Sequence, residues 1–306
     1  MPQLPRRTLG KTGLEVTTLG YGAMELRGAP RGPEISDAEA ERILNAVLDS
    51  GINFIDTSID YGRSEELIGK FISSRRGEYY LASKCGCVVG APGGSDHVHT
   101  AENIRTGVEN SLRLMKTDYL DLVQFHRSLS KDEFANEDGL NEVLKLRDEG
   151  KVRFIGVSGT LPNLYEQIDM GIWDAFQIPY SALQREHEAA IAKAAETNHG
   201  IIIRGGVARG APTNWQGRTY YMISPEDIKR RWEEAKLDEL LEPGQSRMEF
   251  TLRFTLSNPD LDTTIVGTKS VEHLQDNIDA TLKGPLPDDV MAEAKTRLAA
   301  AGSAPA

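Results

Sequence analysis

Short apolar runs alternate with longer segments of helical spacing along most of this chain. The clearest unit is residues 51–70, in which Ile52, Phe54 and Ile55 lie between a glycine and a polar segment. Such a run is typical of a buried strand rather than a helix. A helical pattern then begins at Ser64, after a short loop. This stretch therefore predicts a strand, a loop and a helix in succession.

The same unit recurs to the end of the chain. Strands are predicted at 19–24, 52–55, 79–84, 119–126, 152–157, 174–178, 201–203 and 264–266. Helical patterns separate them, and capping boxes at 36–39 and 246–249 mark the starts of two helices. Strands that alternate with helices form a parallel sheet, and eight such units close an α/β structure into a (β/α)8 TIM barrel. A doubly wound sheet is the competing arrangement, but no G-x-G-x-x-G follows the first strand.

We expect residues 1–306 to form a single barrel domain, because no linker-like stretch or short-period repeat divides the chain. Three additions to the barrel are predicted. Residues 6–18 have the pattern of a β-hairpin, and residues 205–245 form a long loop after the seventh strand, with a short helix at 225–237. The tail at 285–306 is predicted to be a short helix followed by a disordered finish.

Charge and composition narrow the range of partners. The net charge of −11 argues against nucleic acid, which would require a basic face. No apolar run reaches membrane-spanning length and no signal-peptide core is present, so we expect a cytoplasmic protein without a membrane partner. A disulfide between Cys85 and Cys87 would be strained, so free thiols are expected. Two thiols without a nearby histidine pair are weak evidence for zinc, and no metal site is predicted.

Polar side chains stand at the predicted ends of six strands. The active face of a barrel is built at the carboxyl ends of its strands, each strand contributing a residue. Here these positions carry Asp56, Lys84, His126, Ser158, Gln177 and Arg204. A single strand-end residue of this kind is usually just solvated or paired, and a lone histidine is usually structural. The whole set at one level predicts a site.

The residue types in this set suggest acid–base chemistry at a carbonyl. Tyr61 follows Asp56 across a short loop, and a phenol has an ordinary pKa of about 10. A buried ammonium such as Lys84 would stabilise the phenolate and lower that pKa, while Asp56 would hold the ammonium in place. A neutral His126 could donate a hydrogen bond to a carbonyl oxygen. The set contains no activated nucleophile and no carboxylate cluster of the metal or glycosidase kind.

These segments resemble the aldo-keto reductases, a family of NADPH-dependent (β/α)8-barrel oxidoreductases. Residues 51–70 resemble the family signature G-x-N-x-x-D-T-A-x-x-Y-G-x-[ST]-E, with Ser58 where the family usually has alanine. Residues 82–84 resemble its strand-end lysine and residues 118–126 its histidine strand. The resemblance covers nearly the whole chain. It implies a catalytic tetrad of Asp56, Tyr61, Lys84 and His126, with Tyr61 as the proton donor.

The resemblance also implies a site for NADPH or NADP+, with NADH as an alternative cofactor. Its expected residues are Gly22, Met24, Ser158, Gln177, Arg204, Gly267, Lys269, Ser270, His273 and Asn277. Ser158 and Gln177 would hold the nicotinamide carboxamide, and Lys269 with Ser270 would meet the adenosine 2′-phosphate. Glycine at 267 permits close approach, and a helix start beside a lysine attracts phosphate. A capped surface helix with one lysine is the alternative interpretation of this segment.

Several positions depart from the family pattern or remain open. Gly159 stands where the family usually has asparagine, and Arg204 replaces the usual stacking residue; we expect its guanidinium to lie against the nicotinamide ring. Arg127 is a candidate for contacting an anionic or polyhydroxylated substrate, or is a solvated surface residue. Cys85 and Cys87 could approach the rim of the pocket, or they could have a purely structural role. The aromatic residues of the long loop could line a pocket or pack the loop onto the barrel: Trp215, Tyr220 and Tyr221.

The leading functional prediction is a reductase that passes hydride from NADPH to a small-molecule aldehyde or ketone, with alcohol oxidation as the reverse. One alternative is a redox-sensing regulatory subunit with slow turnover, which would resemble the potassium-channel β-subunits. Another is a barrel lyase or isomerase that needs no cofactor. The sequence does not distinguish a monomer from a homo-oligomer, and it does not identify the substrate.

Overall fold

The computed structural model describes residues 3–91, 97–208 and 224–306 of the chain. Within these ranges the strands are β1 (Arg6–Thr8), β2 (Glu15–Thr17), β3 (Leu19–Gly22), β4 (Phe54–Asp56), β5 (Tyr80–Cys85), β6 (Leu120–Phe125), β7 (Val152–Val157), β8 (Ala175–Pro179), β9 (Gly200–Arg204) and β10 (Thr263–Val266). Strands β3 to β10 are parallel and close into a barrel in chain order, with β10 paired to β3. The predicted (β/α)8 barrel is confirmed.

Helices separate the barrel strands along the chain. Their bounds are α1 (Asp37–Asp49), α2 (Ser64–Phe71), α3 (Ala101–Met115), α4 (Lys131–Asn136), α5 (Gly139–Asp148), α6 (Leu164–Asp169), α7 (Glu188–Glu196), α8 (Pro225–Glu234), α9 (Arg247–Leu256), α10 (Val271–Leu282) and α11 (Asp288–Ala300). The predicted capping box before α1 is present: the Ser36 side chain accepts from the Glu39 backbone N–H, and the Glu39 carboxylate accepts from the Ser36 N–H. Such reciprocal bonds satisfy two of the backbone donors that a helix start leaves open.

The N-terminal hairpin is also confirmed, and it closes the amino-terminal end of the barrel. Strands β1 and β2 pair antiparallel, with Arg6 opposite Thr17 and Thr8 opposite Glu15. Apolar side chains of the hairpin form one buried cluster with residues of the barrel strands: Leu9, Leu14 and Val16 with Phe54, Ala82, Leu122, Ala175 and Ile202. The strand residues in this cluster therefore face the barrel interior.

Strand periodicity places polar side chains above that interior apolar layer. Successive side chains of a strand point to opposite faces, so a residue two positions along points the same way. On β4, Phe54 belongs to the interior cluster, while Ile55 packs in the larger core that includes the helices. The same step of two leads from each interior apolar residue to a polar one: Phe54 to Asp56, Ala82 to Lys84, Leu122 to Gln124, Ala175 to Gln177 and Ile202 to Arg204. The carboxyl-terminal mouth of the barrel is thus lined by polar side chains.

The C-terminal tail differs from the prediction. Helix α11 has 13 residues, and the segment after it packs against the chain around residues 182–186. The Ser303 hydroxyl is buried and donates to the carbonyl of Ala182 (3.0 Å), and the Ser303 carbonyl accepts from the Arg185 guanidinium (3.2 Å). The expectation of a disordered finish is wrong, because a composition of small residues does not reveal that a buried arginine needs backbone carbonyls as partners.

The long loop after β9 is described only in part. Helix α8 lies within the predicted short helix, while Trp215, Tyr220 and Tyr221 lie outside the described residues. None of the helices in the described parts of the chain combines the length and the apolar character needed to cross a membrane.

Candidate active site

A buried ion pair forms the base of the polar layer. The Lys84 Nζ atom on β5 donates to the Asp56 Oδ1 atom at the end of β4 over 2.6 Å, and both side chains are almost fully buried. The same ammonium donates to the Thr57 carbonyl over 2.8 Å. Burial opposes the charge of Lys84, but Asp56 and Tyr61 outweigh it and raise the lysine pKa. Lys84 is therefore an ammonium at neutral pH.

Two buried amides hold the second oxygen of Asp56. The Gln124 Nε2 atom donates to Asp56 Oδ2 over 3.0 Å, and the Gln177 Nε2 atom donates to the same oxygen over 2.8 Å. Both glutamines belong to the polar layer of the mouth. The sequence prediction missed Gln124, although its position near the end of β6, two residues before His126, carried the signal. Asp56 is thus fixed by one cation and two neutral donors.

Tyr61 lies beside this ion pair. Its ring centroid is 5.1 Å from Lys84 Nζ, and its ring meets that of His126 edge-on with centroids 5.8 Å apart. Burial raises the pKa of Tyr61 above its ordinary value, although Lys84 and Arg204 pull that pKa down. Lys84 acts in the expected direction, but the desolvation of the phenolate, which the expectation left out, is larger, so the net pKa is raised and not lowered. Tyr61 is a protonated phenol at neutral pH.

His126 follows β6 by one residue and is held on its Nδ1 side. The Nδ1 atom lies 3.3 Å from the Ser58 hydroxyl, 3.1 Å from the Cys87 sulfur and 3.5 Å from the Asp60 carboxylate. Burial, with the nearby ammonium of Lys84, lowers the pKa of His126 to about 3. The imidazole is neutral at physiological pH, as the sequence analysis expected. The structure therefore brings all four predicted tetrad residues together.

The two cysteines differ in their surroundings. Cys85 is part of the apolar core, whereas the Cys87 sulfur lies in the site, next to Ser58 and His126. Burial raises the pKa of both thiols, that of Cys87 to about 12, so neither is a thiolate at neutral pH. The expectation that no histidine pair lies near the cysteines is wrong: His97 and His126 both approach Cys87. Sequence spacing could not show this, because His97 is ten residues from Cys87 and outside any predicted strand or helix.

Predicted cofactor residues line the same mouth on the following strands. The Ser158 hydroxyl, one residue past β7, donates to the Gln177 Oε1 atom over 3.4 Å. Arg204 ends β9, close enough for its charge to lower the pKa values of Tyr61 and His126. A hydroxyl, an amide and a guanidinium thus lie in the same mouth of the barrel as Tyr61. This donor set suits the carboxamide and the aromatic ring of a nicotinamide.

The predicted phosphate segment opens α10. Ser270 is the N-cap residue, and its hydroxyl accepts from the His273 backbone N–H over 3.2 Å. Lys269 is half-buried and donates to the Glu34 carbonyl over 3.1 Å, His273 is exposed and Asn277 is partly exposed. The cation and the open helix start suit a phosphate group. Together with the Ser158 hydroxyl and the Gln177 amide at the mouth of the barrel, this cation and this helix start form a set of donors that fits a dinucleotide.

Packing requires a glycine at position 267, between these two groups. A Cβ atom on Gly267 would lie 2.7 Å from the Gly22 carbonyl oxygen, so the chain after β10 can pass the end of β3 only without a side chain there. Met24 follows in a 3-10 turn and is half-buried. Gly159 has a similar cause: a Cβ atom would lie 2.8 Å from side-chain atoms of Leu164 and Gln167. The departure from asparagine at this position therefore belongs to the packing of α6.

Arg127 stands apart from this arrangement. Its side chain is 58% exposed and lies 3.9 Å from the Glu133 carboxylate. The contact favours the surface interpretation over a role in holding substrate.

Comparison with known proteins agrees with this geometry. The model of the Aldo/keto reductase family matches residues 18–297. The chain is 28% identical over 293 residues to L-galactose dehydrogenase from Arabidopsis thaliana, which covers 92% of this chain and 89% of that protein. It is 30% identical over 292 residues to aldo-keto reductase YhdN from Bacillus subtilis, covering 88% of this chain and 86% of that protein.

Solved structures give the same result. The fold matches the holo form of aldo-keto reductase AKR11C1 from Bacillus halodurans with a TM-score of 0.82, at 27% identity over 96% of both chains. A putative aldo-keto reductase from Pseudomonas aeruginosa matches with a TM-score of 0.70, at 26% identity over 91% of this chain and 95% of that chain. The protein belongs to the aldo/keto reductase family of oxidoreductases.

Proposed function

We propose that the protein reduces an aldehyde or ketone with NADPH, with oxidation of the alcohol as the reverse reaction. The observation that supports this most directly is the position of Lys84: its ammonium is 2.6 Å from Asp56 and 5.1 Å from the ring centroid of Tyr61. A phenol beside a buried, anchored cation is suited to giving up its proton when an alkoxide forms next to it.

The hydride would come from the nicotinamide ring of bound NADPH. Tyr61 gives its proton to the carbonyl oxygen of the substrate, and Lys84 stabilises the phenolate that is left. Asp56 keeps the ammonium in place and balances its buried charge. The neutral imidazole of His126 donates a hydrogen bond to the same carbonyl oxygen, which lowers the energy of the developing negative charge.

The binding residues follow from the two polar groups around the mouth. We assign the carboxamide to Ser158 and Gln177, and we place Arg204 against the nicotinamide ring. We assign the 2′-phosphate of NADPH to Lys269 and Ser270, so NADPH should bind more tightly than NADH. We place His273 and Asn277 next to the adenine. Gln177 also donates to Asp56 (2.8 Å), so the carboxamide contact and the ion pair share one side chain.

Binding and turnover assays test this function. Quenching of protein fluorescence by NADPH would separate a reductase from a barrel enzyme that needs no cofactor. Oxidation of NADPH with a panel of aldehydes and ketones, and reduction of NADP+ with alcohols and sugars including L-galactose, would separate it from a sensing subunit. Tight NADPH binding without turnover of any panel member would contradict the proposal.

A cytoplasmic setting suits the two free cysteines, which a reducing compartment preserves.

A further inference from the structure

Three metal-ligating side chains meet on one side of the proposed active site. The Cys87 sulfur and a ring nitrogen from each of His97 and His126 all lie within 4.8 Å of one another. The Cys87 Sγ atom lies 3.1 Å from His126 Nδ1. Cys87 and His126 follow neighbouring strands of the barrel, β5 and β6, so the closed sheet fixes their distance. The rings of His97 and His126 meet edge-on with centroids 5.2 Å apart.

The third residue is held in place by the chain around it. The Val98 backbone N–H donates to the Gly86 carbonyl over 2.8 Å, and the Asn103 side-chain amide donates to the Val98 carbonyl over 2.7 Å. The same amide reaches the Cys87 carbonyl at 3.4 Å. One side chain of α3 therefore ties the segment that carries Cys87 to the segment that carries His97.

Gly86 makes this close approach of the two segments sterically allowed. Its φ angle is +90°, a left-handed conformation that glycine adopts easily, and a Cβ atom there would lie 2.7 Å from the His99 ring. The His99 ring stacks on that of His97, with centroids 6.3 Å apart and an interplanar angle of 9°. A side chain at position 86 would displace the His99 ring, on which the His97 ring stacks.

One thiolate and two imidazoles are a ligand set that suits Zn2+. A tetrahedral zinc ion needs these atoms about 3.3–3.6 Å apart, which follows from Zn–N bonds of about 2.0 Å and Zn–S bonds of about 2.3 Å. Shifts of about 1 Å in side-chain position therefore close the cluster. Three protein ligands leave the fourth position to water. The Asp60 carboxylate, 3.5 Å from His126 Nδ1, is a further oxygen donor beside the cluster.

We infer that Cys87, His97 and His126 form a binding site for Zn2+ at the mouth of the barrel. Cys87 loses its proton when the ion binds, since the thiolate is the ligand. Zinc on the His126 Nδ1 atom leaves the Nε2 proton in place, but closing the cluster moves this ring by about 1 Å from its position in the proposed active site, so zinc binding excludes efficient carbonyl reduction. The exclusion of carbonyl reduction rests on the proposed function, whereas the zinc-binding site itself does not.

Metal binding can be measured without any enzyme assay. Zn2+ affinity is obtained by competition with a chromogenic chelator, and Co2+ is used as a spectroscopic probe because thiolate coordination gives a charge-transfer band. We expect one Zn2+ per chain and a thiolate-to-cobalt band in the wild type. Cys87→Ala should lose the band and weaken Zn2+ binding by at least about tenfold. Cys85→Ala is the matched control, since it removes a thiol two residues away in the core, and it should keep both properties.

A second variant makes the test independent of the folding of Cys87→Ala. His97→Gln should weaken Zn2+ binding by a similar factor while keeping a weaker cobalt–thiolate band. Unchanged Zn2+ affinity in both Cys87→Ala and His97→Gln, with circular dichroism showing that both are folded, would place the ion elsewhere and overturn the site.

Turnover tests the exclusion. Zinc should inhibit carbonyl reduction by the wild type and by Cys85→Ala, while inhibition of Cys87→Ala should require about tenfold more zinc. Full activity at saturating zinc would overturn the exclusion of binding and reduction. The absence of any reductase activity would count against the proposed function, and the binding measurements would stand apart from it.

Discussion

The ammonium of Lys84 and the carboxylate of Asp56 are joined over 2.6 Å inside the barrel, where neither is open to solvent. Leaving one of two buried opposite charges without its partner typically costs about 3–5 kcal/mol. The pair is therefore both a structural element of the mouth and the electrostatic basis of the proposed chemistry.

Asp56→Asn should lower the free energy of unfolding by about 3–5 kcal/mol, because it leaves the Lys84 charge buried without a counter-charge. Urea denaturation measures this loss. The double variant Asp56→Asn with Lys84→Met removes both charges and should recover part of the stability without recovering reductase activity. If the double variant loses more stability than Asp56→Asn and Lys84→Met lose together as single variants, this view of the pair is contradicted.

Glu65 provides a test of stability against pH. The side chain is buried beside Ser83, whose hydroxyl donates to it, and burial raises the pKa of Glu65 to about 7. The unfolded chain loses this proton near pH 4.5 and the folded chain near pH 7, so stability falls as pH rises between these values. The full loss, above pH 7, is about 3 kcal/mol.

Glu65→Gln should therefore be more stable than the wild type at pH 8, and the difference should shrink towards zero near pH 4.5. Denaturant unfolding at several pH values measures it. Glu66→Gln is the matched control, because that side chain is exposed on the same helix next to Arg63. An equal pH dependence of Glu65→Gln and wild type would show that Glu65 does not titrate as described.

The pH dependence of carbonyl reduction reports the acid. Burial raises the pKa of Tyr61 above 10 and lowers that of His126 to about 3. The kcat/KM for reduction should therefore be flat from about pH 6 to 9 and fall only above pH 10, when the phenol loses its proton. A fall in kcat/KM with a midpoint between pH 6 and 7 would indicate that a histidine, and not the phenol, controls the reaction.

The preference for NADPH over NADH tests the predicted phosphate segment at the start of α10. Lys269→Ala should weaken NADPH binding by about ten- to a hundredfold, in line with the loss of a hydrogen bond to a charged group. Binding of NADH, which lacks the 2′-phosphate, should hardly change. Lys283→Ala removes an exposed lysine at the other end of α10 and should affect neither cofactor. Equal losses with NADPH and NADH in Lys269→Ala would rule out the phosphate contact.

The step of two along each strand explains why much of the barrel mouth could be predicted. Ile52, Phe54 and Ile55 identify a buried strand, and the polar residue at its end, Asp56, lies where the alternation places it. The same rule leads from Leu122 to Gln124, a residue that the prediction omitted because it placed the end of that strand at His126.

Other features depend on contacts that no local pattern records. The raised pKa values of Glu65 and Tyr61 follow from their burial in the folded chain. His97 lies near Cys87 because Val98, the next residue, donates to the Gly86 carbonyl and accepts from the Asn103 amide on α3. The packed end of the tail around Ser303 depends on Arg185, more than a hundred residues earlier in the chain.

Replacing Tyr61 by phenylalanine tests the proposed acid most directly. The measurement is the rate of NADPH oxidation with a carbonyl substrate, together with the dissociation constant of NADPH from the same preparation. Tyr79→Phe is the control, since this phenol contacts only the Ile72 carbonyl among the described hydrogen bonds. We expect Tyr61→Phe to lose about 10²- to 10⁴-fold in kcat with NADPH affinity unchanged. Wild-type turnover by Tyr61→Phe would contradict the assignment of the proton donor.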